Sequence, residues 1–117
     1  MEINTEKYFV FASGWWWGSS IVLVCKDGSC TVELQFEYDM PNSVYLKGLQ
    51  VNEPFRRQGI ATGLLAYCEE LARQDGRKFI TLSVEYDNEW LLEFYKRIGY
   101  SVLNRSEHIF EMIKVIS

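Results

Sequence analysis

A chain of 117 residues, 48% hydrophobic and 24% charged, makes a single soluble globular domain over residues 1–117 with one core. Its formal net charge of −4 excludes the electrostatic footprint of general nucleic-acid binding. The N-terminus lacks the basic and apolar regions of a secretory signal. The longest uncharged run, Tyr8 to Cys25, is broken by glycines and serines and is no membrane span. A cytoplasmic protein without membrane contact is expected.

The first strand is expected over Lys7 to Ala12. The stretch "SGWWWGSS" follows, then the apolar run Ile21 to Val24. Cys25 and Cys30 flank Asp27-Gly28, a two-residue hairpin signal that sets the two cysteines opposite each other. That is close enough to bond under oxidation, but free thiols are expected in a reducing cytosol. Two cysteines without two further ligands make no zinc site, and no metal is expected. Thr31 to Asp39 alternates, with Val32, Leu34, Phe36 and Tyr38 on one face and Glu33, Gln35, Glu37 and Asp39 on the other.

A turn at Pro41-Asn42-Ser43 leads into a strand over Val44 to Asn52. Ile60, Leu64, Leu65, Cys68, Leu71 and Ala72 recur at helical spacing, and Gly76 stops that helix. Phe79 to Glu85 is the next strand, with Thr81, Ser83 and Glu85 on one side. Asn88 to Ile98 is a short helix with Leu91, Phe94, Tyr95 and Ile98 on its apolar face. Strands over Tyr100 to Asn104 and His108 to Val115 finish the chain. His108 is the single histidine, so a Ser-His-Asp arrangement has no other to use. The order predicts an α+β domain on one mixed sheet.

Between strand and helix lies "FRRQGIATGLL", Phe55 to Leu65. A helix start carries unpaired N–H groups and the positive dipole end. Gly59 lets a ligand approach the backbone, and Arg56 and Arg57 add positive charge, a combination suited to a phosphate or pyrophosphate. The Walker and dinucleotide glycine patterns are both absent. On local sequence alone, Gly59 could equally ease a tight turn and the arginines could be a solvated face.

Context adds a second element. Arg56-x-x-Gly59-x-Ala61 is similar to the R/Q-x-x-G-x-G/A signature of the GNAT N-acetyltransferase superfamily. Downstream, Asn88-x-x-Leu91-x-x-Phe94-Tyr95-x-x-x-Gly99-Tyr100 resembles that family's second motif, with Leu91 in place of alanine and Tyr100 in place of phenylalanine. The resemblance covers Val44 to Tyr100 closely and the other strands by order. It implies a GNAT-like, mixed, mostly antiparallel central sheet with helices packed on it, and acetyl-coenzyme A as co-substrate. The implied cofactor-binding residues are Leu49 and Val51, which the pantetheine arm would pair with, Arg56, Arg57, Gln58, Gly59, Ile60, Ala61 and Thr62 around the pyrophosphate, and Asn88 and Tyr95. The Leu49–Val51 strand would splay from its neighbour, and the amide near Val51 would polarise the thioester carbonyl. Tyr95 matches the general acid that meets the departing thiolate. Asn88 could cap its helix in either reading.

Two departures matter. Where family members commonly carry a glutamate on a central strand, this chain has Tyr45 and Ser83. Glu85, two residues beyond Ser83, could serve as base directly or through a water on Ser83, could be an exposed strand-end carboxylate, or the base is water alone. Glu37 and Asp39 could attract a cationic acceptor. The N-terminal helical region is also shortened, because "SGWWWGSS" cannot hold two helices. Trp15, Trp16 and Trp17 could plug the core, wall the acceptor site, or form a homodimer contact. The expected activity is acetyl transfer to a primary amine, on a small molecule or a protein, by direct attack in a ternary complex. The alternative is a non-catalytic acetyl-coenzyme A-binding or protein-interaction domain.

Overall fold

The structure is a computed structural model that describes residues 2–56 and 58–117. Seven strands and two helices run in the order β1 (Tyr8–Trp15), β2 (Gly18–Cys25), β3 (Cys30–Glu37), β4 (Ser43–Val51), α1 (Ile60–Gln74), β5 (Phe79–Glu85), α2 (Glu89–Arg97), β6 (Ser101–Arg105) and β7 (Ile109–Val115). They form one sheet in the order β1-β2-β3-β4-β5-β7-β6. Pairing is antiparallel except for β4 with β5. The mixed, mostly antiparallel α+β architecture matches the expectation, because a strand-helix-strand unit forces one parallel pair and hairpins make the rest.

Period-two alternation sorts the sheet into two faces. Leu23, Val32, Leu34, Val44, Leu46, Ile80, Leu82, Val84 and Met112 are buried on one face. They join Leu64, Leu65, Cys68, Leu71 and Ala72 of α1 in one core. Tyr95 of α2 and Tyr100 belong to that cluster, so both helices lie on the same side. Lys114 of β7 pairs with the buried carboxylate of Glu69 on α1 at 2.5 Å. The opposite face presents Gln35, Tyr45, Thr81 and Ser83, all half-buried.

As the short "SGWWWGSS" stretch implies, no helix stands between β1 and β2; they form a direct hairpin, pairing Trp15 with Gly18 around a turn at Trp16-Trp17. Two expectations change. Cys25 and Cys30 are joined as a disulfide with Cα atoms 5.3 Å apart, correcting the free-thiol expectation; Cys68 is free and buried. Tyr38 lies beyond the end of β3 and is 65% exposed, so it leaves the apolar face assigned to it. Among the described residues, no helix is long and apolar enough to cross a membrane.

Two features of the β4 region set up the site. β4 pairs with β5 only at Ser43–Phe79, Val44–Ile80 and Tyr45–Thr81, although both strands continue beyond. A bulge in β4 lies just past that point, between the Glu33–Lys47 and Thr31–Gln50 pairs. Gly48 sits in it at φ 66°, a left-handed conformation that a β-carbon would strain. A bulge bends its strand and increases local twist, which is how β4 turns away from β5.

Candidate active site

The start of α1 is open to a ligand. Gly59 occupies the N-cap position at φ 75°, and no side chain caps the helix. The amides of Ile60, Ala61 and Thr62 therefore lack intrahelical acceptors. Ile60 and Ala61 are half-buried, whereas Thr62 and Gln58 are exposed. Arg57 lies outside the described residues. Arg56 donates from Nε to the Val51 carbonyl at 3.0 Å, and Gln58 donates from Nε2 to the Pro54 carbonyl at 3.2 Å. Both side chains thus brace the loop between β4 and α1.

That loop is also tied to the β2–β3 hairpin. Asn52 donates from its side-chain amide to the Gly28 carbonyl, and from its backbone to the Ser29 carbonyl at 2.8 Å. A cavity of about 640 Å³ runs from Gln58, Gly59 and Gly63 past Ser29 to Lys7. The Cys25–Cys30 disulfide lines it too.

Leu49 and Val51 are half-buried on β4 beyond the bulge, where the strand has left β5. Asn88 is the N-cap of α2, and its Oδ1 accepts from the Leu91 amide at 3.2 Å. Tyr95 is 4% exposed, with ring centroids 5.4 Å from those of Phe94 and Tyr100 in edge-to-face contacts. Burial, and then the charge of Cys68, pushes the Tyr95 phenol up to about 12. It is a neutral donor at any ordinary pH.

On the helix-free face, Tyr45 donates from Oη to Ser83 Oγ at 3.1 Å. The pair stands beside a cavity of about 350 Å³ whose lining includes Gln35, Glu37, Tyr45, Ser83, Leu103 and Glu111. Ser83 therefore lines a cavity. Glu85, on the same strand face, is exposed and lies outside the lining, and so does Asp39. Trp15 and Trp17 stack on each other at 5.0 Å, and Trp16 is 91% exposed; none of the three lines this cavity. Glu111 lines the cavity although no sequence motif marks it. It pairs with Ser83 across β5 and β7, and only the strand register reveals that relation.

A mixed sheet whose parallel pair parts beside an uncapped glycine-led helix start is the GNAT-like framework that the two sequence motifs imply. Residues 4–100 match the family model described as "Acetyltransferase (GNAT) family", and the chain belongs to that family. It is 31% identical over 72 residues to "Probable N-acetyltransferase san" of Drosophila melanogaster, spanning 61% of this chain and 39% of that protein. It is 36% identical over 56 residues to N-alpha-acetyltransferase 30 of Schizosaccharomyces pombe, spanning 48% of this chain and 37% of that one. The match thus takes in well under half the length of these curated relatives. Among solved structures, the PaiA N-acetyltransferase of Thermoplasma acidophilum in complex with coenzyme A superimposes with a TM-score of 0.71 at 21% identity, covering 82% of this chain and 59% of that one. At that identity the likeness concerns the fold.

Proposed function

We propose that the domain transfers an acetyl group from acetyl-coenzyme A to a primary amine, by direct attack in a ternary complex. The observation that carries this reading is the parting of β4 from β5 beyond Tyr45–Thr81, next to the unclaimed amides of Ile60 to Thr62. The amides and the dipole of α1 suit the pyrophosphate. The exposed edge of β4 at Leu49 to Val51 suits the pantetheine arm, whose amides can pair with a strand.

Tyr95 then serves the leaving group. A phenol held near 12 stays protonated beside a departing thiolate and stabilises it by hydrogen bonding. Full proton transfer to a thiolate whose acid has a pKa of about 8.5 would run uphill from such a phenol. Tyr95 is therefore a hydrogen-bond donor to the thiolate, and solvent completes the protonation.

The test is the thermal midpoint with and without acetyl-coenzyme A, followed by thiol release with an amine panel. Ligand at about a hundred times its dissociation constant stabilises a fold by roughly 2.7 kcal/mol, which is roughly 10 °C for a domain of this size. A shift with acetyl-coenzyme A but not with adenosine supports the reading, and no shift at millimolar ligand refutes it. Binding without turnover of any amine favours the non-catalytic alternative, which the hydroxyls at Tyr45 and Ser83 motivate.

A further inference from the structure

The cavity on the helix-free face has an uneven charge distribution. Glu33, also on this face, is paired with Lys47 at 3.7 Å and accepts from Gln35 at 3.1 Å, so its charge is answered. Glu37 and Glu111 line the cavity, and neither has an ion-pair partner among the described residues. They stand on β3 and β7, with β4 and β5 between them. The register sets Glu37 level with Ser43, Phe79 and Val115, four residues along β7 from Glu111. Three strand spacings across and four residues along put their backbones roughly 20 Å apart on a diagonal of the sheet. The lining also has apolar groups: the Tyr45 ring, Met40 and Leu103. Leu103 is the extra residue of a bulge between the Val102–Met112 and Asn104–Glu111 pairs. Bulges re-aim side chains, and this one adds an apolar group to the lining.

Glu111 sits at the productive end. Its register partner is Ser83, whose hydroxyl holds Tyr45 Oη at 3.1 Å. Tyr45 belongs to the last pair before β4 and β5 separate. Directly opposed residues on antiparallel strands have β-carbons about 5 Å apart. A carboxylate so placed can hold an ammonium group against the two hydroxyls at the mouth of the strand gap. Glu85 lies two pairs further along, opposite Ile109, and outside the cavity.

We propose that this cavity accepts an elongated amine with two cationic ends, Glu111 holding the reacting end beside Ser83 and Glu37 holding the far end. The proposal rests on the transferase reading and names its acceptor class. A volume of about 350 Å³ suits a slender aliphatic chain.

The probes are 1,8-diaminooctane and octylamine, equal in apolar length and different in charge. Thiol release from acetyl-coenzyme A is followed with the unaltered protein and with Glu37→Gln, Glu111→Gln, Glu111→Asp and Glu85→Gln. The diamine is expected to exceed octylamine in kcat/KM by about tenfold, the usual scale for one charge-assisted hydrogen bond. Glu37→Gln abolishes the preference by lowering kcat/KM for the diamine more than for octylamine. Glu111→Gln raises KM for both amines about tenfold without changing KM for acetyl-coenzyme A, and Glu111→Asp recovers part of the loss. Equal use of the two amines overturns the proposal, as does a loss that follows Glu85→Gln instead of Glu111→Gln.

Titration calorimetry of 1,8-diaminooctane into the free protein and into the coenzyme A-saturated protein decides the cavity's part without turnover. Weaker binding to both Glu37→Gln and Glu111→Gln supports the proposal; unchanged binding, or none to the unaltered protein, overturns it. A protein that fails to bind coenzyme A refutes the transferase reading by itself, and the free-protein titration still judges the two carboxylates.

Discussion

Tyr45 Oη lies 3.1 Å from Ser83 Oγ, so a single hydrogen bond bridges β4 and β5 just where their backbone pairing ends. Both side chains are half-buried, and the bond takes the place of the next rung of the ladder. Tyr45→Phe keeps the ring and removes the donor. The expected cost is about 1 kcal/mol, the net worth of an ordinary intramolecular hydrogen bond. Urea denaturation measures it. A larger loss would mean that the hydroxyl holds more of the cleft than this one contact.

Tyr95→Phe separates packing from chemistry. The ring is 4% exposed among Phe94 and Tyr100, and phenylalanine fills nearly the same space. The thermal midpoint and the acetyl-coenzyme A affinity should therefore stay close to those of the parent. Thiol release should fall about a hundredfold or more, the range for loss of one donor aimed at developing negative charge. With the phenol near 12, activity should show no alkaline limb from this residue at pH 10 or below. A tyrosine limb near pH 9 would contradict the burial-based assignment.

The cluster under α2 also predicts how the fold responds to base. Burial raises Cys68 from 9.0 to about 12 and Tyr95 from 10.0 to about 12, and it raises Tyr100 as well. A group whose folded pKa exceeds its unfolded value contributes stability that is intact below the unfolded pKa and lost as pH rises through the folded one. The loss should begin near pH 9 with Cys68, steepen above pH 10 as the tyrosines join, and continue towards pH 12. Each group that ionises only on unfolding contributes about 1.4 kcal/mol per pH unit. Urea midpoints from pH 8 to 11 would show this, and Cys68→Ala should flatten the first step between pH 9 and 10. A flat parent profile across that window would contradict the cluster's role.

Much of the frame was legible because its signals are local. Phe79–Glu85 appears with the bounds that alternation predicts, and Asn88 caps α2 where the motif starts. Ile60 opens α1 directly after the glycine that marks it. The departures arise where the signal is not local. Three consecutive tryptophans contain no turn dipeptide, so the Trp15–Gly18 register that makes β1 and β2 a tight hairpin is invisible in composition. The opposition of Cys25 and Cys30 follows from the hairpin, but whether they bond depends on surroundings that the residues do not encode. Glu111 shows the limit most clearly. Alternation along β7 sets which residues share its face, yet only the order β5-β7-β6 brings it to Ser83.

Gly59 offers the sharpest test of the helix start. It adopts φ 75°, and a β-carbon built there meets nothing within 4 Å. Gly59→Ala therefore costs conformational strain and no clash, about 1–2 kcal/mol for a left-handed alanine. If the loop instead relaxes to a right-handed conformation, the amides of Ile60 to Thr62 turn away from a common focus. Either way, acetyl-coenzyme A affinity should fall by more than the stability loss alone explains. Titration calorimetry well below the unfolding temperature isolates that effect, because the variant is still folded there. Unchanged affinity in a folded Gly59→Ala protein would remove the α1 start from the binding site and leave the parted strands to hold the ligand alone.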